Sequence, residues 1–353
     1  MTGDSSSTIE TATRASSRGP SERPLPRVSA IIVTWNRRDL VLAAIESLLA
    51  CDYPRDRLEI VVVDNGSTDG SCEILRRRPE VRLICLEANP GPSAARNAGI
   101  AQASGDYLLL LDSDARLVPR GLRRSIEILD AQPAIAIAGL RILNHHGNVD
   151  QWIYAEPYAA HGRRMFDTYS FSAAGAILRT SAIRAARGFW EELFIYNEEV
   201  DLSIRLIRDG LRVVYLPTAS VLHQPAPQGR SGLGLYFRYQ IRNWIWIFLR
   251  HYPPLRSWAM IGLYSAIYLV KGAVNGRPIA CLRGIIEGLA GYRIARRDMA
   301  KLTAEQARHL RSLNRRWLIR LWGFGSAHGA KVTHAERPFA AHELDDVDAI
   351  ALP

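Results

Sequence analysis

The sequence predicts an α/β fold, a mainly parallel sheet flanked by helices, with a C-terminal helical extension suited to a membrane surface. Three observations predict it. Short apolar runs at 28–34, 58–63 and 107–111 each stop abruptly at polar residues. The segments between them carry apolar residues at helical spacing. From Gly234 onward the strand-like runs give way to longer stretches in which Trp and Tyr are mixed with Arg. Strand and helix in alternation, with short breaks, make a sheet covered on both faces. Right-handed crossovers then bring the strands' C-terminal ends to one edge, where open α/β sheets bind ligands.

The elements follow in order. Residues 28–34 (VSAIIVT) are a β-branched strand leading into Trp35-Asn36-Arg37, and 39–50 are a helix. The strand 58–63 (LEIVVV) ends in Asp64-Asn65-Gly66-Ser67-Thr68-Asp69-Gly70, before a short helix at 71–77 and a strand at 81–86. Asn89-Pro90-Gly91-Pro92 breaks the chain, and 93–103 form a small-residue helix. The run 107–111 (YLLLL) reads as a strand buried on both faces, stopping at Asp112-Ser113-Asp114. A helix at 119–129 and a strand at 134–138 come next. The aromatic stretch 151–169 reads as a loop over the crevice, and 171–178 as a strand. The helix 197–209 turns Val200, Ile204 and Ile207 to one face and stops at Gly210. A strand at 211–216 is expected to end at Pro217, with His223 shortly after.

Asp112 and Asp114 carry the first chemical signal. Two carboxylates at the end of a buried strand are costly unless compensated. Their i, i+2 spacing lets both converge on one hard cation, Mg²⁺ or Mn²⁺, with a nucleotide's phosphates completing the shell. Taken alone, the tripeptide reads first as a solvated turn that ends a core strand, and it is the rest of the chain that favours the cation.

Composition sets the bounds. At 353 residues, with 48% hydrophobic and 23% charged, the chain suits one large α/β domain plus an extension. A net charge of +10 favours nucleotides and anionic lipid as partners. No nucleic-acid motif accompanies the charge, so nucleic acid is not expected as a partner. Cys51, Cys72, Cys85 and Cys281 lack metal-ligand spacing and are expected as reduced thiols. Residues 1–26 are rich in Ser, Thr, Arg and Pro, lack a signal-peptide apolar core, and read as a disordered lead. The expected organisation is that lead, a catalytic domain at 27–233, a basic aromatic extension at 234–325, and a flexible acidic tail at 326–353.

Within the extension, the apolar stretch 257–270 is shorter than the ~20 residues a spanning helix needs. Basic helical segments at 282–297 and 302–322 follow. These segments read equally as helices at a membrane interface and as core-packing helices with solvated basic faces.

Taken in order, IIVTWNR, VVVDNGSTDGS, NPGPSAARNAGI, GDYLLLLDSDA and NEEVDLSIRL resemble the family 2 glycosyltransferases of GT-A fold, over roughly residues 28–223. The later helices resemble the C-terminal part of bacterial cell-surface sugar transferases. The resemblance implies an inverting, metal-dependent enzyme with a nucleotide-diphospho sugar donor, Mn²⁺ or Mg²⁺, and a glycan or lipid-linked acceptor of the cell envelope. The mixture of Trp, Tyr and Arg in the extension adds the expectation of a cytoplasmic location, peripheral on the inner face of the membrane, with an anionic membrane surface as partner. Thr34 and Asn36 would border the nucleotide, Asp64 would hold its base, and Asn65 and Ser67 would line the same site. Arg96 and Asn97 would lie near the donor. Asp112, with Ser113 beside it, would contact ribose or sugar, while Asp114 and His223 would hold the metal. Glu199, in the pair Glu198-Glu199, would be the general base, kept an anion by the helix dipole.

Two positions depart from the family pattern. The base is normally Asp and here is Glu, so Glu198 competes for the role. Trp190 stands where an Asp bordering the acceptor site is frequent. A competing reading is a catalytically silent nucleotide-sugar-binding scaffold of an envelope assembly complex.

Overall fold

In the computed structural model, the described residues are 24–144, 147, 149, 164–224, 232–297 and 300–313. Most of the N-terminal lead, the loop residues 151–163 and the acidic tail lie outside them, as does the last helical segment beyond Leu313.

Among the described residues, nine strands form one sheet: β1 Val28–Thr34, β2 Leu58–Asp64, β3 Val81–Cys85, β4 Tyr107–Asp112, β5 Ala115–Leu117, β6 Ile135–Leu143, β7 Phe166–Asp167, β8 Gly175–Arg179 and β9 Arg212–His223. Their order is β3-β2-β1-β4-β8-β6-β9-β5, with β7 also on β9. The first four strands are parallel, as expected. Beyond β4 the sheet is mixed, because β8 runs antiparallel to both β4 and β6, and β5 antiparallel to β9. The expected parallel character therefore holds for the first half, whose strands are joined through helices.

The helices are α1 Arg38–Leu49, α2 Ser71–Leu75, α3 Pro92–Gln102, α4 Leu122–Ala131, α5 Thr180–Ala185, α6 Glu198–Arg208, α7 Leu233–His251, α8 Pro254–Val274, α9 Pro278–Ala290, α10 Tyr292–Ala295 and α11 Ala304–Leu313. Strand alternation sorts the core onto two faces. Ala30, Ile32, Val62 and Leu109 pack beneath α1 and α4, whereas Ile31, Val61, Leu108 and Leu110 pack against α3 and α6. Each such Val, Leu or Ile side chain, fully buried, stabilises the fold by about 1.5–3 kcal/mol. A third cluster joins α7, α8 and α9 to Trp190 and Leu193.

Three expectations are corrected here. The last long strand does not stop at Pro217 but runs to His223. Its pairing with β6 shifts register between Tyr215 and Ser220, so Pro217 falls where the ladder is irregular and needs no donor. The apolar stretch in the extension belongs to a helix of 21 residues, α8, which by length and composition is long enough to cross a bilayer. Its helical flanks, Pro254–Arg256 and Lys271–Val274, were not part of the apolar run. Finally, Cys72 and Cys85 are joined in a disulfide, because α2 and the end of β3 bring their Cα atoms to 6.3 Å. Cys51 and Cys281 are free thiols.

Candidate active site

The sheet register builds the site. Thr34 pairs with Asp64 and Val33 with Asp112, so the polar residues that end β1, β2 and β4 stand side by side. Asp64 Oδ1 accepts the Ser67 N–H at 2.8 Å. Its Oδ2 is buried with no hydrogen-bond partner among the described residues, as are Thr34 Oγ1 and Asn65 Oδ1. A buried acceptor left unmade costs about 1–3 kcal/mol. Three of them together at the crevice make a surface that calls for donors, such as the N–H and O–H groups of a nucleoside.

Other expected residues are engaged with the protein itself. The Asn36 N–H donates to Ser67 Oγ at 2.9 Å, and Asn36 Oδ1 accepts the Thr68 N–H at 2.8 Å. This pair ties the end of β1 to the loop after β2. Asn65 Nδ2 donates to Asn89 Oδ1 at 2.8 Å. Asn97 clamps the segment after α5: its Nδ2 donates to the Phe189 carbonyl and to Glu191 Oε1, and its Oδ1 accepts the Phe189 N–H, each at 2.8 Å. Gly188, at φ +67°, allows this clamp, since a Cβ there would sit 2.4 Å from Asn97 Oδ1.

Asp112, Asp114 and His223 converge, with ligand atoms within 4.8 Å of one another. The local fold explains it. β5 begins just after Asp114 and pairs antiparallel with β9, placing Ala115 opposite His223. The Gln224 N–H then donates to the Asp114 carbonyl at 3.1 Å. Two carboxylates and an imidazole fit a hard divalent cation such as Mn²⁺ or Mg²⁺. Ser113 is buried between the two aspartates. Sequence reasoning missed Arg37, whose Nη1 lies 3.0 Å from Asp114 Oδ2, while His223 Nε2 is 3.4 Å from Oδ1. Its place directly after Asn36 was the available signal.

Arg96 joins this cluster to helix α6. Its Nη1 donates to Glu198 Oε1 at 2.8 Å and its Nη2 to Asp112 Oδ1 at 3.3 Å. Burial alone would lower the proton affinity of this guanidinium, but Asp112 and Glu198 raise it, so it is a fixed cation. The two glutamates are thereby unequal. Glu198 is ion-paired. Glu199 is pushed up to about 8, first by burial and next by the charge of Glu198, against the lowering effect of Arg96. The expectation that the helix dipole keeps Glu199 an anion at pH 7 is corrected, because desolvation outweighs a dipole effect worth typically 0.3–1 kcal/mol. Glu199 Oε1 accepts the Ala173 N–H at 3.4 Å.

The extension holds this region in place, which the sequence did not reveal. Asn243 of α7 is fully buried, and its Nδ2 donates to the carbonyls of Leu193, Ile195 and Tyr196. Phe194, Tyr196 and Asn197 all have φ between +63° and +72°, a conformation that needs such support. Trp190 does not border the crevice. It is 7% exposed, packed on Trp246 at 5.7 Å with Arg250 over its ring at 4.0 Å.

Residues 29–187 match the family model described as Glycosyl transferase family 2. A succinoglycan biosynthesis protein, ExoO, of Rhizobium meliloti is 40% identical over 131 residues, 36% of this chain and 37% of that one. A mannosyltransferase of Pyrobaculum calidifontis, solved with GDP-Man and Mn²⁺, superposes with TM-score 0.52 at 18% identity, covering 86% of this chain and 88% of that one. S. aureus TarS 1–349, solved with UDP-GlcNAc, superposes with TM-score 0.54 at 18% identity, covering 83% and 92%. These likenesses show the GT-A fold with C-terminal helices. The chain spans less than half the length of the first curated relatives it matches, 37% to 46%.

Proposed function

We infer that this chain, a member of glycosyltransferase family 2 through residues 29–187, moves a sugar from a nucleotide-diphospho sugar to a hydroxyl of an envelope glycan or lipid-linked acceptor. The observation that carries the reading is Arg96, which bridges Asp112 and Glu198 and so makes the carboxylate-imidazole cluster and the start of α6 one site. Asp64, Asn65 and Thr34 supply acceptors for the nucleoside. Asn36 and Ser67 hold the loop that carries them, and Asn97 holds the acceptor-side loop. Asp114 and His223, with Asp112, would hold Mn²⁺ or Mg²⁺, which when bound neutralises the leaving diphosphate.

Glu199 takes the acceptor proton. The acceptor oxygen bonds to the sugar's C1, the bond from C1 to the diphosphate oxygen breaks with its electron pair, and the O–H proton passes to a Glu199 carboxylate oxygen. One displacement inverts the anomeric centre. Raised to about 8, the Glu199 carboxylate is a strong base in its ionised fraction, so turnover should rise with pH toward 8, whereas Glu198 is ion-paired to Arg96.

The assay is release of nucleoside diphosphate from UDP- and GDP-sugars with Mn²⁺, with and without a polyprenyl-diphosphate glycan acceptor. Acceptor-stimulated release that is lost in Asp114→Asn, with the far-UV spectrum unchanged, is expected. Donor binding without release from any sugar nucleotide would favour a silent scaffold.

A further inference from the structure

We propose that the outer face of α8, α9 and α10 lies in the plane of an anionic membrane surface, with lipid phosphates seated beside Arg277 and Arg283. This deepens the lipid-linked acceptor reading and rests on it for its purpose, while the surface itself is read from these helices alone.

The outward face of α8 is apolar along its length: Leu255, Trp258, Leu263, Leu269, Val270 and Val274 are exposed, Leu255 at 87% and Val274 at 80%. Ile279, Leu282 and Ile286 of α9 continue the face, at 51–68% exposure. A contiguous apolar patch on two adjacent helices marks an interaction surface.

Charge identifies the occupant. Residues 254–297 contain Arg256, Lys271, Arg277, Arg283, Arg293, Arg296 and Arg297 against a single acid, Glu287. That acid is already engaged, accepting from Arg238 Nε at 2.8 Å. A groove of about 440 Å³ opens beside the face, lined by Leu235, Arg238, Arg277, Ile279 and Arg283. It presents guanidinium groups next to apolar side chains, the pairing that a phospholipid headgroup and its acyl chains complement. Trp258 stacks on Tyr292 at 6.3 Å, and Arg296 lies over the Tyr292 ring at 5.3 Å. Aromatic rings beside cations are the composition of a membrane-water boundary.

The other face of α8 decides between lying in the surface and crossing it. Ile261, Tyr264 and Tyr268 are buried, with Tyr264 on Phe248 at 4.7 Å and on Trp244 at 5.2 Å. Gly284 of α9 is pressed against the Arg238 backbone of α7, where a Cβ would come within 2.3 Å of a carbonyl oxygen. α7 in turn is fastened to the 193–196 carbonyls through Asn243 and to α6 through His251. A crossing α8 would have to leave this packing. In plane, it keeps the packing and holds the carboxylates of α6 at a fixed height above the bilayer.

The test is flotation of the full chain with phosphatidylcholine vesicles, with and without phosphatidylglycerol. Binding to the anionic vesicles, reduced by high salt, is expected. Leu263→Glu with Leu282→Glu should cut the bound fraction about tenfold or more, since each removes a leucine from burial in lipid. Arg277→Gln with Arg283→Gln should weaken binding to the anionic vesicles about tenfold and leave binding to neutral ones unchanged. Brominated lipid should quench tryptophan fluorescence in the wild type and much less in Trp258→Phe. The proposal is overturned if the wild type does not float, or if the leucine variant floats like the wild type. It is also overturned if that variant only converts a dimer to a monomer, or if proteolysis of vesicle-bound protein shows residues on both sides of α8 separated by the bilayer. Flotation without any nucleoside diphosphate release supports this surface and instead refutes the transferase reading.

Discussion

Helix α6 carries two acidic environments, three residues apart, with opposite physics. At its first turn Glu198 is ion-paired with Arg96, and Glu199 beside it is left with a raised proton affinity. Asp201, fully buried, accepts from Arg205 Nε at 2.9 Å and lies 2.8 Å from His251 Nε2 and 3.4 Å from Arg250 Nε. Burial alone would raise its proton affinity, but Arg205 and His251 lower it far below the usual carboxylate range. The first environment is short of compensating charge and so can exchange a proton. The second is fully compensated and so can only hold structure. It fastens α7, and with it the whole extension, to the helix that bears the proposed base.

Three substitutions and conditions break or sharpen that contrast, in decreasing order of effect. Asp201→Asn leaves Arg205 and Arg250 buried without their carboxylate. It should destabilise the protein by about 3–5 kcal/mol, read from urea unfolding, because removing one partner strands the other charges. A loss below 1 kcal/mol would show that the network is not holding α7 on α6. Asn243→Ala removes the amide whose two N–H groups are shared among three carbonyls of the 193–196 segment. A cost of about 1–3 kcal/mol and faster proteolysis near Phe194 are expected. Unchanged proteolysis would mean that the left-handed backbone holds itself.

The third is pH, where the two environments have opposite signs. Asp201 is depressed in the folded state, so its stabilisation is present above pH ~4 and is lost as pH falls through its folded value. Glu199 is raised to about 8, so the native state retains a proton that the unfolded chain releases above pH ~4.3. Stability therefore falls as pH rises toward 8 and levels off beyond. Glu199 is only half-buried by its exposed area, so solvent reduces the size of the effect but not its sign. Glu199→Gln should raise Tm at pH 8 and leave it unchanged at pH 4. An equal Tm change at both would contradict the raised affinity.

Much of the crevice was legible in the sequence, because each contributing strand is an apolar run cut off by polar residues, and such a pattern places strand ends without knowledge of packing. The positions of Asp64, Asp112 and Asp114 at or just past strand ends were read this way, and the local order of β1 to β4 followed. What escaped depends on contacts distant in sequence. Asp201 meets His251 fifty residues away, and Asn243 reaches Leu193 across the same distance. The cross-linking of Cys72 to Cys85 and the passage of β9 through Pro217 depend on neighbouring elements, not on the local residues. Trp190 shows the same limit, since its place in the motif suggested the acceptor site and its packing on Trp246 places it under the extension.

The central claim is that Glu199, not Glu198, takes the acceptor's proton, and a paired measurement tests it: donor affinity by calorimetry and turnover with acceptor, for Glu199→Gln and Glu198→Gln. Glu199→Gln should bind donor as the wild type does, since Asp64 and the Asp112-Asp114-His223 cluster are untouched, and should lose about 10²–10⁴-fold in turnover. Glu198→Gln should lose less. The reverse ranking would place the base one residue earlier, and unchanged turnover in both would remove the start of α6 from the chemistry.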